Sequence, residues 1–328
     1  MTIKEKLSAL RAIMERESLD AYIISGTDPH NSEYLPAAWK QRQWISGFTG
    51  SFGTVVVLKN EAGLWTDTRY FIQAEKQLKD SGIQMHKLRV PEAVDYPEWL
   101  ATNLPEGSRV GLDSFCISVC DMKNLQETLT PKQITVVEKT DLLGEIWLDR
   151  PSLPDAQLFL VPTATAGKSA NEKITMIREK LQAAHDMLFS CLDEIAWLYN
   201  VRCNDIIYNP VAISYAVVGK AKAWLFIKNT KVSREIASQL SQEGIEIRDY
   251  HHLFLFLEEL DKNSVFTVDS ATLNYAVYHK LFTEFQVKEQ ESPIVLAKAI
   301  KNPIEVEGFR KACLKAESCS EISVSEQL

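Results

Sequence analysis

The apolar positions of the first half predict helices that alternate with short strands. Apolar side chains at helical spacing, with charged residues between them, open the chain at Ile3, Leu7, Leu10 and Met14. The run 21–24 predicts a strand, and the β-branched run 53–58 predicts a hairpin with 64–66. The other predicted elements of this half are a helix over 70–78, a strand over 110–113 and a helix over about 120–129.

The second half repeats this alternation after a proline-rich break. Residues 149–162 contain three prolines, which fix φ and remove donors, and this predicts an extended connection. Ser169 and Glu172 have the spacing of a capping box. The predicted helix after that box contains Ile174, Ile177, Leu181, Ala184 and Leu188. A hairpin is predicted over 214–218 and 223–227, and strands are predicted at 243–247 and 265–270.

Three short landmarks recur in the same order in the two halves. Trp65 corresponds to Trp224, Gly82-Ile83 to Gly244-Ile245, and Asp113-Ser114 to Asp269-Ser270. A duplicated domain with altered loops would leave this pattern, and chance similarity is the alternative. The predicted fold is α/β, with two tandem domains that each contain a mixed β-sheet flanked by helices. The predicted bounds are 1–150 for the first domain, 151–162 for a linker, 163–300 for the second domain and 301–328 for a helix with a tail.

Charge and composition narrow the class of partner. The 328 residues carry a formal net charge of -8, which argues against nucleic acid, because phosphate binding needs clustered Lys and Arg. No segment reaches the ~20 apolar residues that span a membrane, so neither a membrane nor a nucleic acid is an expected partner. The six cysteines have apolar neighbours and no metal-ligand spacing, which indicates buried thiols. A cytoplasmic location is expected.

A search for catalytic motifs finds none. There is no HExxH or GxSxG, and the adjacent pair His251-His252 fits solvated or capping histidines better than metal ligands. The segment 167–169 ends like a phosphate loop, but Pro162 stands where such a loop needs glycine. The glycine-rich segment 47–53 leads into a strand rather than a helix, which favours a structural turn.

A set of unusual motifs resembles one family closely. The segments that carry this resemblance are 30–34 (HNSEY), 42–54 (RQWISGFTGSFGT), 65–71 (WTDTRYF), 193–202 (DEIAWLYNVR), 208–211 (YNPV) and 301–305 (KNPIE). Together they are similar to the creatinase/prolidase-like N-terminal domains of Xaa-Pro aminopeptidase (aminopeptidase P) of the large, three-domain cytosolic type. The resemblance covers nearly the whole chain, to about Ser318.

The resemblance implies more than this chain contains. In that family a third domain, with the pita-bread fold, binds two manganese ions through two Asp, one His and two Glu. It releases the N-terminal residue of peptides with proline in second position, and the enzymes are commonly homodimers. The catalytic domain is expected to be absent here, because no residue of this chain matches those ligand positions. The chain is expected to hold no cofactor of its own and to be inactive, as a truncated form of a hydrolase.

The resemblance also suggests where the chain could meet a substrate. The predicted substrate-access residues are His30, Tyr34, Arg42 and Trp44, on a loop expected to be exposed; the alternative is that they only pack an interface. The alternative function is a stand-alone peptide-binding or dimerisation module without peptidase activity. Asn302 and Glu305 predict a capped helix that ends near Ala316, before a polar tail that departs from the family pattern.

Overall fold

The computed structural model describes residues 1–181 and 185–325. The chain divides into two compact units. The first unit comprises Met1–Pro154 and Ser270–Glu284, and the second unit comprises Asp155–Asp269 and the chain from Phe285 onward. Both are mixed α/β structures, as the sequence predicts.

A six-stranded mixed sheet forms the centre of the first unit. Its strands are β1 (Ala21–Ile24), β2 (Thr54–Leu58), β3 (Ala62–Thr66), β4 (Gln84–Lys87), β5 (Arg109–Leu112) and β6 (Thr135–Glu138). They lie in the order β4-β3-β2-β1-β5-β6. Only the β1–β2 and β2–β3 pairs are antiparallel, so β2 runs against the other five strands.

Helices cover both faces of this sheet because successive strand residues point to opposite sides. The helices of residues 1–154 are α1 (Ile3–Arg16), α2 (Gln41–Ser46), α3 (Phe71–Gln77), α4 (Tyr96–Asn103) and α5 (Val119–Leu129). On one face Tyr22 joins a buried cluster with Leu10 of α1. On the other face Ile23 joins a cluster with Leu125 of α5. The alternation along β1 therefore produces two apolar cores.

The second half of the chain contains the remaining strands. They are β7 (Phe159–Leu160), β8 (His185–Phe189), β9 (Val201–Arg202), β10 (Ser214–Val218), β11 (Ala223–Ile227), β12 (Ile245–Arg248), β13 (Val265–Val268) and β14 (Gln286–Glu289). Six of them form a sheet in the order β12-β11-β10-β8-β13-β14, and β7 pairs separately with β9. The large sheet repeats the order and the strand directions of the first sheet.

Several of the helices described in this half begin with side-chain caps. The helices are α6 (Thr163–Ala166), α7 (Ala170–Lys180), α8 (Leu192–Leu198), α9 (Arg234–Gln242), α10 (Leu253–Glu259), α11 (Tyr275–Glu284), α12 (Pro293–Ala299) and α13 (Pro303–Ser325). The capped helices include α7, α9, α12 and α13. The capping box predicted before α7 is present, with Ser169 and Glu172 each bonded to the other's backbone N–H. Asn302 Oδ1 likewise accepts from Glu305 N at 2.9 Å and caps α13. Helix α11 belongs to the first unit.

The duplication is confirmed by the shared sheet order, but one landmark is out of register. Gly82 and Gly244 both precede an edge strand with φ near +80°, and Asp113 and Asp269 both follow the last residue of the fifth strand of their repeat. The hairpin pairs Val57 with Ala62 in the first repeat and Val218 with Ala223 in the second. Trp65 and Trp224 therefore lie on equivalent strands at positions two residues apart.

Two predicted helix bounds are wrong. The helix from Ala170 ends at Lys180, and Leu188 lies in β8, where it pairs with Val217 of the hairpin. Ala184, predicted in the same helix, lies outside the described residues. Helix α13 continues to Ser325 instead of ending near Ala316, because residues 309–325 contain no glycine or proline to stop it.

The prediction of buried cysteines is confirmed only in part. Cys116 and Cys203 are buried and Cys191 is half-buried, whereas Cys120 and Cys313 are exposed. Both exposed cysteines lie on helices, where apolar neighbours in sequence point to a different face. Cys319 lies outside the residues whose side chains are described.

Candidate functional site

A cavity opens at one edge of the sheet in the first unit. The strands β1, β3, β4 and β5 run in the same direction, so their carboxyl ends meet at this edge beside the amino end of β2. The cavity has a volume of about 720 Å³. Ligands of open α/β sheets bind outside the carboxyl ends of strands, which makes this edge the candidate site.

Two arginines and a phenylalanine form one wall of the cavity. Arg69 lies 5.7 Å and Arg89 5.5 Å from the centre of the Phe52 ring, measured from each guanidinium carbon. Asp67, whose side chain is only 1% exposed, accepts from both Arg69 nitrogens Nε and Nη2 and lies 3.5 Å from Arg89 Nη1. The guanidinium of Arg69 holds the pKa of Asp67 below its usual range. The result is a cationic rim around an aromatic ring.

The loop after β1 forms the opposite wall, and one of its residues is more buried than the sequence predicts. Asp28 Oδ1 accepts from His30 N at 2.9 Å and from Ser32 N at 3.0 Å, which closes a tight turn. His30 was expected to be exposed, but it is 1% exposed and packs edge-on against Trp39. Its neighbours Asn31 and Ser32 line the cavity. His30 therefore shapes the wall from behind.

Arg42 was also expected on an exposed surface, and it is 6% exposed. Its guanidinium donates to the carbonyl oxygens of Gly50 and Gly53, the latter at 2.9 Å. Burial lowers its pKa to about 10. A Cβ on Gly26 would lie 2.3 Å from Arg42 Nη1, so the glycine leaves room for the arginine. Arg42 thus fixes the glycine-rich segment as a structural loop, in agreement with the turn predicted there.

The two remaining predicted residues differ in their surroundings. Tyr34 is 52% exposed, as expected of a residue that could meet a substrate. Trp44 is half-buried, stacks on Trp147 with 5.3 Å between ring centres, and lies under the ammonium of Lys6. Neither residue lines the cavity described here.

One carboxyl group of the cavity has a shifted acidity. Burial raises the pKa of Asp113 to about 6, and the nearby carboxylate of Asp141 acts in the same direction. Asp113 Oδ1 accepts from Phe115 N at 3.0 Å, so the side chain caps the turn after β5. Cys116 beside it is buried, and burial raises the pKa of its thiol. This environment provides a binding surface with a weak acid and no activated nucleophile among the described residues.

The sequence did not reveal this grouping. Phe52, Asp67 and Arg69 lie within the family motifs, but Arg89 follows β4, a strand that was not predicted. The grouping could in principle have been predicted, because residues just after parallel strands share one edge of a sheet. Among residues 1–181 and 185–325, no three His, Cys, Asp or Glu side chains are placed to bind a metal ion together. None of the helices in those ranges combines the length and the apolar content needed to cross a membrane.

Comparison with known sequences assigns both halves to one family. Residues 6–146 and residues 149–305 each match the Creatinase/Prolidase N-terminal domain. Each match encloses one six-stranded sheet. The chain therefore belongs to the creatinase/prolidase N-terminal domain family, with two such domains in tandem.

The relatives of the whole chain are more specific. Aminopeptidase P1 of Lotus japonicus is 35% identical over 359 aligned residues, covering 95% of this chain and 54% of that protein. Xaa-Pro aminopeptidase 1 of Dictyostelium discoideum is 37% identical, covering 96% of this chain and 52% of its own length. The crystal structure of a cytosolic X-prolyl aminopeptidase of Caenorhabditis elegans, with a di-nuclear active site, matches with a TM-score of 0.88 at 30% identity. That match covers 95% of this chain and 53% of the solved chain. The chain thus resembles aminopeptidase P over about half the length of these relatives.

Proposed function

We propose that this chain is the non-catalytic N-terminal part of an Xaa-Pro aminopeptidase. The observation that carries the proposal is the match to the Caenorhabditis elegans enzyme, which spans nearly all of this chain and about half of that one. The parent enzyme would release the N-terminal residue of peptides whose second residue is proline. Its metal ions, two manganese, would lie in a further domain, and it would act in the cytoplasm as a homodimer.

Within that parent, the first unit would help to shape substrate access. Arg69 and Arg89 place positive charge beside the half-exposed ring of Phe52, at the carboxyl edge of the sheet. Such a rim suits peptides, because guanidinium groups bind carboxylates and aromatic rings pack against proline. Tyr34 and Trp44 would add contact surface, and the buried His30 and Arg42 would hold the loops in place.

Peptide titration of the purified chain tests this role. Arg89→Ala removes a guanidinium whose side chain is 68% exposed, so the fold should tolerate the change. We expect calorimetric titration with an Xaa-Pro peptide to show weakened binding in Arg89→Ala. Arg16→Ala is the matched control, because Arg16 is 54% exposed and also pairs with a carboxylate, on Glu145.

Equal affinities for the peptide in the wild type and both variants would show that this rim does not contact the peptide. Binding that survives Arg89→Ala while the chain elutes as a dimer in gel filtration would favour the stand-alone dimerisation module instead.

A further inference from the structure

A second cavity lies in the second unit. It has a volume of about 730 Å³ and lies between α8, the segment 209–211 and the first turns of α13. Its apolar lining includes Trp197, Val211 and Phe309. Phe309 is 58% exposed, so apolar surface remains open to a ligand. Nothing in the proposed substrate-access role uses this cavity.

Arg202 lines this cavity, and only one of its guanidinium nitrogens is hydrogen-bonded within the described part of the chain. Its Nη1 donates to the carbonyl oxygens of Ala196 at 2.6 Å and Val201 at 2.9 Å. In the part of the chain that the structure describes, Nε and Nη2 have no hydrogen-bond partner, and the residue lines the cavity. The two bonds at Nη1 fix the plane of the fork. An arginine held in this way is preorganised to bind a carboxylate with two parallel hydrogen bonds.

The other charged groups of the lining leave the cavity positive. Three lysines line it with Arg202: Lys173, Lys298 and Lys301. The two acidic groups already have partners, since Asp193 accepts from Lys298, and Glu305 accepts from Asn302 N at 2.9 Å. Glu305 also accepts from Trp197 Nε1 at 3.3 Å. This local excess of positive charge contrasts with the net charge of -8 of the whole chain.

Lys173 places an ammonium group at the inner wall, and burial lowers its pKa to about 8. It is 1% exposed, and its Nζ donates to Trp197 O at 2.8 Å and to Asn200 Oδ1 at 2.6 Å. The same ammonium lies 4.3 Å from the centre of the Trp197 ring. Lys173 therefore holds the indole in place and adds to the positive potential, while Arg202 retains the free donors.

We propose that this cavity binds a small carboxylate attached to an apolar group, of the N-acyl amino acid class. The carboxylate would accept from Nε and Nη2 of Arg202, in a cavity that Lys301 also lines. The apolar side chain would pack against Trp197, Val211 and Phe309, which supply the buried surface that a lone ion would not use. The site is distinct from the cavity of the first unit and does not depend on the peptidase chemistry of the parent.

Titration with N-acetyl-leucine and with its uncharged amide tests this site. We expect saturable binding of the acid by calorimetry, and affinity at least about tenfold lower for the amide, which lacks the charge. Arg202→Gln should reduce the difference in affinity between the acid and the amide. Lys301→Gln should weaken binding of the acid but not of the amide. This variant leaves the two hydrogen bonds from Arg202 to carbonyl oxygens intact, so it can replace Arg202→Gln if that variant does not fold. Lys220→Gln, at an exposed position of the same unit, is the control with the same change in net charge.

Several outcomes would overturn the proposal. These are no saturable binding of the acid, equal affinity for acid and amide, or an unchanged affinity in both Arg202→Gln and Lys301→Gln. Inorganic phosphate that competes as well as acetyl-leucine would also overturn it, because the apolar lining would then contribute nothing.

Discussion

At the scale of single residues, one buried ion pair stands out in the second unit. Lys231 and Asp205 have side chains 2% and 0% exposed, and Lys231 Nζ donates to Asp205 Oδ2. The same carboxylate accepts from Ile213 N at 2.8 Å and so fixes the chain before β10. A buried carboxylate costs several kcal/mol of desolvation unless it is paired.

Loss of the lysine should therefore destabilise the protein strongly. Lys231→Met leaves Asp205 buried without its counter-charge, and we expect the free energy of unfolding to fall by roughly 3–5 kcal/mol. Lys228→Met removes a similar pair with Asp155, exposed on both sides, and should cost at most about 1 kcal/mol. Urea denaturation of the two variants measures both losses of unfolding free energy. Losses of equal size would contradict the prediction.

Glu194 should make stability depend on pH in the second unit. Burial raises the pKa of Glu194 to about 7, while Ser292 Oγ donates to it at 2.7 Å and Asp269 lies nearby. The folded chain holds this proton more tightly than the unfolded chain, whose value is near 4.5. The contribution of the protonated Glu194 to the free energy of unfolding is therefore fully present below pH 4.5. It is lost as the pH rises through 7.

The predicted loss across that window is roughly 3 kcal/mol, taken from the size of the shift. Glu194→Gln should remove this part of the pH dependence and should make the protein more stable than wild type at pH 8. Thermal unfolding between pH 4.5 and 8 measures it, with the exposed Glu179→Gln as the control. A wild-type slope in Glu194→Gln would show that folding does not raise the pKa of this carboxyl group.

At the scale of elements, equivalent glycines stand just before an edge strand in each repeat. Gly82 has φ +83° and Gly244 has φ +81°, a conformation that costs other residues about 1–2 kcal/mol. A Cβ at Gly82 would contact nothing within 4 Å, and one at Gly244 would lie 3.7 Å from Asn171 Nδ2. The requirement for glycine is thus conformational rather than steric in both repeats.

Alanine at these positions should therefore have the same cost in each repeat. Gly82→Ala and Gly244→Ala should each lower the free energy of unfolding by about 1 kcal/mol. Gly308 lies within α13, where a Cβ would also have no neighbour within 4 Å. Gly308→Ala should therefore raise the free energy of unfolding by roughly 0.5–1 kcal/mol. Urea denaturation that shows a loss of stability in Gly82→Ala and Gly244→Ala and a gain in Gly308→Ala would support this explanation. Stabilisation by all three variants would contradict it.

Most central strands could be predicted from the sequence, whereas three of the four edge strands could not. The hairpin β10–β11 was predicted with the observed bounds, because its buried apolar residues form continuous runs. The edge strands β4, β6 and β14 have exposed ends and half-buried centres, so their polar residues hide the strand pattern. Strand β8 was assigned to a helix because its apolar residues continued the helical spacing of α7.

The candidate site could be predicted as a region but not as a set of side chains. Sequence motifs led to the loop that contains His30 and Arg42, and both residues support the walls of the cavity. Their burial depends on partners distant in sequence, such as the carbonyl of Gly53, which no local pattern reveals. Arg89 was missed because its place at the rim depends on the pairing of β3 with β4.

At the scale of the whole molecule, the two sheets share one strand order but carry different surfaces. The first unit opens a cavity at the carboxyl edge of its sheet, lined by Arg69, Asp113 and other polar groups. The second unit opens a cavity beside α8 and α13, lined by Arg202 and three lysines. Duplication thus accounts for the fold, and divergence of loops and helix ends accounts for the sites.

The central proposal is that these two domains serve an Xaa-Pro aminopeptidase without performing its chemistry. The most direct measurement is mass spectrometry of an Xaa-Pro peptide incubated with the purified chain and added manganese, with a chelator-treated sample as the control. The account predicts no release of the N-terminal residue in either sample. Release that depends on manganese and follows the chain through successive purification steps would contradict it.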